Sequence, residues 1–262
     1  MISHHHRCIF IHIPKCAGTS IETALGHFDG HQGRGGQDHR TIRMLEPLDV
    51  PKILTSKDNM LSVYRRQKDI MRKAHNPRNK YTVTAEQYQQ YFKFTIVRNP
   101  WARVFSWYKN ATRDKVHRQN AGISADIPFS EYLSRFAGVG MLEPQTYWLK
   151  RFNGNVELDY IGRFETLAQD YSNIAQTLGL SDTTLPHKMQ SRKEDYRQHY
   201  DDATAELVAD RYAEEIALFD YSFDDVESPA TAPATLKTVV NHQGSSRPTT
   251  ALPRNSIPRT SA

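Results

Sequence analysis

Short apolar runs alternate along the chain with stretches in which apolar residues recur every three or four positions. The run at 7–13, RCIFIHI, is rich in β-branched residues, a pattern typical of a buried parallel strand, and it ends at Pro14. The next spacing, in IETALGHF at 21–28, predicts a helix, with Thr19 or Ser20 placed to cap it. The sequence therefore predicts that the fold opens with a strand, a loop and a helix.

A second unit of the same kind begins with the β-rich run FKFTIV at 92–97. Arg98 and Asn99 form the predicted turn, and Pro100 stands at the first helical position, which tolerates proline. The helix is predicted to continue through WARVFSWYKNATRD, at 101–114. Three of its aromatic residues, Trp101, Phe105 and Tyr108, are interpreted as packing residues rather than as platforms for stacked bases.

Further elements follow in the same alternation. The pattern predicts a short strand at 160–164, an amphipathic helix at 165–180 that Gly179 closes, and a single final helix at 203–223. A helix is also predicted at 58–74, within a middle region whose loops are harder to assign. Strands that alternate with helices predict an α/β fold.

The C-terminal segment has a different composition. From Pro229 onward the chain is rich in Pro, Ser, Thr and Ala, and no aromatic residue follows Phe223. Such a segment buries too little apolar surface to offset its ordering entropy. The sequence therefore predicts one folded domain at 1–227 and a disordered tail at 228–262.

Composition narrows the class of protein. Apolar residues make up 38% of the 262 residues, and no apolar run approaches the roughly 20 residues of a membrane-spanning helix. Cys8 and Cys16 are the only cysteines, which argues against a disulfide framework or a thiolate metal cage. We expect a cytoplasmic protein without a signal peptide, and we interpret the histidine run at 4–6 as a solvated tail rather than a metal site.

The net charge of +5 is mostly a property of the tail. Four basic residues and no acidic ones lie at 228–262, so 30 Lys and Arg face 29 Asp and Glu in the rest of the chain. No reading helix, zinc finger or aromatic RNA-binding strand is predicted, so nucleic acid is not an expected partner. Evidence for an anionic ligand must therefore come from local clusters of charge.

The loop KCAGTS, at 15–20, is one such cluster. A strand that turns directly into a helix presents backbone N–H groups and the positive end of a helix dipole, to which Lys15 adds a charge. The spacing is not that of a Walker A loop, because Lys15 precedes Gly18, and a C-x5-R phosphatase loop fails at Glu22. Phosphate binding is favoured, with an ordinary strand–helix turn as the alternative.

The second unit offers Arg98 and Ser106, eight residues apart and thus about two helical turns. The two side chains are able to face a common anion. Taken alone, the unit is better explained by a surface ion pair at Arg98 and a neutral helical Ser106.

Together the two stretches resemble the phosphosulfate-binding signatures of the sulfotransferases. FIHIPKCAGTSIE and FKFTIVRNPWARVFSWY match most closely the carbohydrate group of these enzymes, the heparan sulfate 2-O and Golgi type, in its bacterial form. The resemblance continues through IGRFETLAQDY and LPHKMQSRKEDYRQHY and spans most of residues 8–223. Cys16 departs from the threonine usual at that position, which puts only a side-chain contact in doubt.

The resemblance implies a P-loop NTPase-like three-layer α/β fold, with a central, mainly parallel sheet flanked by helices, that binds the donor 3'-phosphoadenylyl sulfate. It assigns the 5'-phosphosulfate to the loop and the 3'-phosphate to Arg98 and Ser106. The loop residues are Lys15, Cys16, Ala17, Gly18, Thr19 and Ser20. The region in which the family closes over the nucleotide matches Arg163, Ser191, Arg192 and Tyr196.

The resemblance also suggests the catalytic groups. Lys15 is the natural cation for the leaving oxygens, and His39, in GQDHRTIRML, matches the histidine that serves the family as base. His12 is interpreted as structural, and His187 is a distant second candidate for the base. The chemistry requires no metal, and no metal-ligating motif is present.

The expected acceptor is a hydroxyl of a saccharide or polysaccharide. Residues 65–80 carry seven Lys or Arg against one Asp, which either hold an anionic saccharide or form a solvated helix face. A P-loop nucleotide kinase, disfavoured by the loop spacing, and a nonenzymatic module that binds nucleotide or glycan are the alternatives. The oligomeric state is left open.

Overall fold

A four-stranded sheet forms the centre of the fold. The computed structural model describes residues 1–33, 35–185 and 194–225. The strands lie in the order β1 (Ile2–Ser3), β2 (Cys8–Ile11), β3 (Phe92–Val97) and β4 (Tyr160–Arg163). β1 pairs antiparallel with β2, whereas β2, β3 and β4 are parallel. The predicted α/β fold with a mainly parallel sheet flanked by helices is confirmed.

The helices fall into three groups along the described chain. Between β2 and β3 lie α1 (Gly18–Ala24), α2 (Ile42–Leu45), α3 (Val50–Ile53), α4 (Lys57–Met71) and α5 (Ala85–Gln90). Between β3 and β4 lie α6 (Pro100–Arg113), α7 (Lys115–Ala121), α8 (Phe129–Phe136) and α9 (Gln145–Leu149). After β4 come α10 (Leu167–Thr177), α11 (Asp202–Arg211) and α12 (Ala213–Phe219), and short 3-10 turns occupy Pro77–Lys80, Gly140–Leu142 and Tyr196–His199.

The parallel register decides which loops are neighbours. All four residues of β2 are buried, and Ile11 pairs with Thr95 of β3. Val97, at the end of β3, pairs with Arg163 at the end of β4. Because parallel strands end at the same edge of a sheet, the loops that follow β2 and β3 emerge side by side.

The two strand–helix turns are built differently. The Asn99 side chain caps α6 by accepting hydrogen bonds from the N–H groups of Trp101 and Ala102, at 3.1 and 3.3 Å, and Pro100 is the first helical residue as predicted. α1 instead begins after Ala17, which has left-handed backbone and makes no side-chain cap. The prediction that Thr19 or Ser20 caps this helix is wrong, since both lie within it.

Two further elements differ from the sequence pattern. The histidine run at 4–6 forms the turn between β1 and β2 rather than a tail, and His4 Nδ1 lies 3.0 Å from the Tyr91 hydroxyl. The predicted final helix is divided into α11 and α12 at Tyr212. The Tyr212 hydroxyl donates to the carbonyl of Leu142 at 2.7 Å and accepts from the N–H of Gly138 at 2.9 Å. These partners, which stabilise the break between α11 and α12, are distant in sequence. The local pattern of apolar residues therefore does not predict the break.

A second hydrophobic cluster packs α6 against α8 and α11. It includes Trp101 and Phe105, confirming that these aromatic residues are packing residues. Arg103, on the same helix, is fully buried. It donates to the carbonyls of Pro14, Met141 and Glu143 at 3.2, 2.9 and 3.0 Å. The bond to Pro14 connects α6 to the start of the loop that follows β2.

Gly18 is required by a close approach inside this loop. A Cβ atom at position 18 would lie 1.9 Å from Cδ2 of His12, whose ring is buried beneath the helix start. No rotamer of an added methyl group removes such an overlap, so the loop or the ring would have to shift.

We therefore expect Gly18→Ala to lower the free energy of unfolding by about 2–3 kcal/mol, because the methyl group overpacks the His12 ring. Chemical denaturation measures this loss. His12→Ala in the same chain should recover part of it, giving a clear coupling energy in a double-mutant cycle. Additive effects of the two substitutions would contradict the packing argument.

Candidate active site

The loop after β2 has an unusual backbone. Lys15 and Ala17 both adopt the left-handed region, with φ of 70° and 59°. The loop is closed by hydrogen bonds from the N–H of Cys16 to the carbonyl of Ile13, at 3.3 Å, and from the N–H of Ser20 to that of Ala17, at 3.0 Å. Left-handed backbone costs energy in residues other than glycine, and such strain clusters at functional sites.

Lys15 carries a positive charge into a crowded, half-buried position. Burial, together with the charges of Arg98 and Arg113, lowers its pKa to about 8. Among the residues that the structure describes, none accepts a hydrogen bond from Lys15 Nζ. An anion at this position would relieve the repulsion and supply the missing acceptor.

Arg98 joins the second predicted anion site to the first. Its Nη1 donates to the carbonyl of Lys15 at 3.2 Å, and its guanidinium carbon lies 3.9 Å from the centre of the Phe164 ring. The two strand–loop–helix units that the sequence marks out therefore meet at one edge of the sheet.

Ser106 lies on α6 and is half-buried, two helical turns before Arg113. Residues seven apart occupy the same helix face, so Ser106 shares a face with the arginine whose charge acts on Lys15. The role of Ser106 beside Arg98 stays a prediction.

Gln145, the first residue of α9, connects the two loops and has no exposed surface. Its Oε1 accepts from the N–H of Arg98 at 2.8 Å and from the Cys16 thiol at 3.5 Å, and its Nε2 donates to the carbonyl of Arg98 at 2.8 Å. Nε2 also donates to Glu215 Oε1 at 3.0 Å. Sequence reasoning missed Gln145 and Glu215, because neither lies in a motif near the loops.

Two glutamates at this edge of the sheet, Glu165 and Glu215, accept hydrogen bonds from groups beside the loops. Glu165 accepts from the N–H of Asn99 at 2.7 Å and from the Tyr221 hydroxyl at 3.0 Å. Glu215 accepts from both the main chain and the side chain of Gln145, and burial raises its pKa to about 7. The bonds of these two carboxyl groups stabilise the turn at Asn99 and the position of Gln145.

His39 lies on the other side of the loop and has the geometry of a base. Its Nδ1 is 3.2 Å from the carbonyl of His12, and because a carbonyl only accepts, Nδ1 carries the proton. Nε2 of the neutral ring is then the proton acceptor. Burial and the neighbouring His12 lower the pKa of His39 to about 4. The ring is therefore neutral at neutral pH, as a base requires.

The His12 ring contacts both His39 and the loop. Its ring centre is 4.2 Å from that of His39, and the ring also lies against Gly18. Nδ1 of His12 is 3.0 Å from Glu22 Oε1, which accepts from the N–H of Asp38 at the same distance. The interpretation of His12 as structural agrees with its burial, and its contacts place it directly behind the candidate base.

A polar and aromatic patch lies beside His39. The Trp148 ring is 6.3 Å from the His39 ring, and Trp148 Nε1 is buried with no hydrogen-bond partner in the part of the chain that is described. Arg43, 5% exposed, bonds to Asn59 and to the carbonyl of Tyr147 but forms no salt bridge with any described residue. Burial lowers its pKa below the ordinary value.

Tyr147 lies between two guanidinium groups. The carbon atoms of Arg43 and Arg65 are 5.5 and 5.9 Å from the centre of its ring. Arg65 is exposed on α4 and donates to the Tyr147 hydroxyl, so one cation of the basic stretch at 65–80 reaches this ring. Lys80 is already engaged, since its Nζ donates to carbonyls at the end of α4.

Five other predicted nucleotide or base residues remain: two have side chains that bond within the fold, and three lie outside the described residues. Arg163 donates to the carbonyl of Phe219 and lies over the Tyr221 ring, at 4.7 Å. Tyr196 is buried and donates to the carbonyl of Phe223. Both side chains are used within the fold. The predictions for Ser191, Arg192 and His187 fall outside the described residues.

Within residues 1–33, 35–185 and 194–225, no three His, Cys, Asp or Glu side chains are grouped so that they would hold a metal ion. Cys8 and Cys16 are both buried free thiols. None of the helices in these ranges has the length and apolar character needed to cross a bilayer.

Comparison with known proteins identifies the family. The model of the family described as "Sulfotransferase family" matches residues 1–222, which include both loops, His39 and α9. Neither the curated proteins nor the solved structures include a significant match to the chain. The family match covers most of the sequence, and the chain therefore belongs to the sulfotransferase family, which transfers sulfuryl groups.

Proposed function

We propose that this protein transfers the sulfuryl group of 3'-phosphoadenylyl sulfate to a hydroxyl of a saccharide. The observation that carries the proposal is the meeting of two cation-bearing strand ends, Lys15 and Arg98, where Arg98 Nη1 bonds to the Lys15 carbonyl at 3.2 Å. A donor with a 5'-phosphosulfate and a separate 3'-phosphate needs two adjacent anion sites.

The residues of the first loop fit the phosphosulfate. Lys15 has a charge that repels its neighbours and a Nζ with no acceptor among the described residues. The N–H groups of the first turn of α1 begin at Gly18, and the hydroxyls of Thr19 and Ser20 are half-buried at the same turn. Cys16 and Ala17 contribute backbone, and we assign the 3'-phosphate to Arg98 and Ser106.

The donor supplies an activated sulfuryl group. The acceptor oxygen forms a bond to sulfur as the bond from sulfur to the bridging phosphate oxygen breaks. His39 Nε2 takes the proton of the acceptor hydroxyl, and Lys15 stabilises the negative charge that gathers on the leaving phosphate. Atoms and charge balance without a metal ion, so the residues needed are a base on one side of the sulfur and a cation on the other.

Support for a saccharide acceptor comes from the patch beside His39. The half-buried Tyr147 offers a phenol ring of the kind that packs against sugar rings, and the buried indole N–H of Trp148 has no acceptor among the described residues. Arg43 is a buried cation without a salt-bridge partner in the described chain, and such a charge is costly until an anion pairs with it. We therefore assign an acceptor that carries an acidic group.

Donor binding is tested with Lys15→Met. We expect the Kd for adenosine 3',5'-bisphosphate, measured by calorimetry, to rise about 10- to 100-fold through loss of a charge-assisted bond. The ligand-free variant should melt about 2–4 °C higher, because the folded protein no longer holds a lysine whose pKa burial lowers from 10.5 to about 8.

The matched control is Lys115→Met, on the exposed surface of α7, which should change neither quantity. Incubation of the wild type with labelled 3'-phosphoadenylyl sulfate and a saccharide panel tests the reaction itself. Tighter binding of ATP with Mg²⁺ than of the bisphosphate, or transfer of phosphate in place of sulfate, would overturn the assignment.

The base is tested with His39→Ala. We expect kcat to fall about 10²- to 10⁴-fold while the Kd for the bisphosphate stays within about twofold, since the ring acts on the acceptor. His75→Ala, at an exposed histidine, is the control. In NMR titrations of the imidazole signal that His39→Ala removes, the midpoint should lie near pH 4. A midpoint near 6.5 would contradict the neutral buried ring.

The acidic acceptor is tested with Arg43→Met. We expect KM for hexuronic acid oligosaccharides to rise about 10-fold or more, and KM for their carboxyl-reduced counterparts to change little, because only the acidic substrate pairs with the guanidinium. Arg72→Met, at an exposed position, serves as the control. Equal losses with charged and neutral substrates would show that Arg43 acts through the fold alone.

A further inference from the structure

We propose that Gln145 is a positioning residue that fixes the spacing between the two anion-binding loops, and that it thereby sets the preference for a nucleotide with two phosphate groups over one with a single phosphate. The inference rests on the proposed function, because it takes the Lys15 loop and the Arg98 turn as the two phosphate sites. Gln145 would then be an uncharged determinant of donor specificity, which acts by positioning the two loops.

The hydrogen bonds of Gln145 define the connection. The amide bonds to Arg98 twice, as acceptor from its N–H and as donor to its carbonyl, both at 2.8 Å. Two bonds to one residue fix both the distance and the rotation of the turn. The third contact, from the Cys16 thiol to Oε1 at 3.5 Å, reaches the other loop. One side chain therefore holds the ends of β2 and β3 together.

The orientation of the amide is determined by its surroundings. Oε1 faces two donors, the Arg98 N–H and the Cys16 thiol. Nε2 faces two acceptors, the Arg98 carbonyl and Glu215 Oε1, the latter at 3.0 Å. Only a primary amide offers an acceptor and a two-proton donor at this separation. A glutamate at position 145 would place a second carboxylate against Glu215. A methionine there would bond to neither the N–H nor the carbonyl of Arg98.

α9 and α12 provide a rigid base for this connection. The backbone N–H of Gln145 also donates to the Glu215 side chain, which ties the start of α9 to α12. Gln145 and Glu215 are both fully buried. A buried amide whose donors and acceptors are all paired holds a unique geometry, because each lost bond leaves an unsatisfied group.

A fixed spacing favours a ligand that bridges the two sites. When a nucleotide binds one loop through its first phosphate, the second phosphate meets the other loop at a high effective concentration only if the spacing matches. A ligand with one phosphate gains nothing from the match. Loss of Gln145 should therefore weaken binding of the bisphosphate while each single site keeps its own affinity.

The experiment compares three ligands by calorimetry: adenosine 3',5'-bisphosphate, adenosine 5'-phosphate and adenosine 3'-phosphate. For Gln145→Met we expect the Kd of the bisphosphate to rise about tenfold or more and the two monophosphate values to stay within about threefold. Cys16→Ala removes the contact with one loop while leaving the bonds to Arg98, so it should give a smaller loss of the same kind. This second variant removes only a weak donor and keeps the test valid where Gln145→Met folds poorly.

Thr146→Val is the matched control. Thr146 is the next residue of α9, is buried and donates to Glu214 at 3.2 Å, but it contacts neither loop. It should lower the melting temperature without changing the ratio of bisphosphate to monophosphate affinity. Equal weakening of all three ligands by Gln145→Met and by Cys16→Ala, or an unchanged ratio in both, would overturn the inference. Failure of the wild type to prefer the bisphosphate would instead overturn the proposed function itself.

Discussion

The parallel pairing of β2 with β3 is the constraint on which the rest of the site depends. Because the two strands end at the same edge of the sheet, Lys15 and Arg98 are forced into neighbouring positions, and burial with like charges lowers the pKa of Lys15 to about 8. The nearby carboxyl groups of Glu165 and Glu215 bond to backbone and amide groups. The fold thus stabilises the loops while leaving the site with a positive potential.

Burial has different chemical consequences for Lys15 and for His39. At Lys15 it opposes a charge that an anionic ligand would restore, so binding and protonation favour each other. At His39 it keeps the ring neutral, and the bond to the His12 carbonyl selects the tautomer whose Nε2 accepts a proton. One physical effect, burial, therefore lowers the pKa of both Lys15 and His39, the two residues to which we assign the roles of cation and base.

Local patterns were sufficient for the three parallel strands, the longer helices and the positions of the two signature loops, since apolar periodicity and turn residues lie within a few positions of each other. They did not predict β1 or most of the short helices. They were misleading where a distant contact overrides them. Tyr212 divides the final helix through bonds to Leu142 and Gly138, and Ala17 begins α1 without a side-chain cap. Gln145 carries no local signal at all, because its importance arises from residues 47 positions away and more.

The left-handed backbone of Lys15 and Ala17 has a consequence for how tightly a ligand is held. In many anion-binding loops the ligand itself orders the chain, and part of the interaction energy is spent on that ordering. Here Arg103 donates to the Pro14 carbonyl and Arg98 donates to the Lys15 carbonyl, so side chains of the protein itself hold this backbone. An anion bound there, as we propose, would meet a loop that these bonds already order, so less of its binding energy would be spent on ordering the chain.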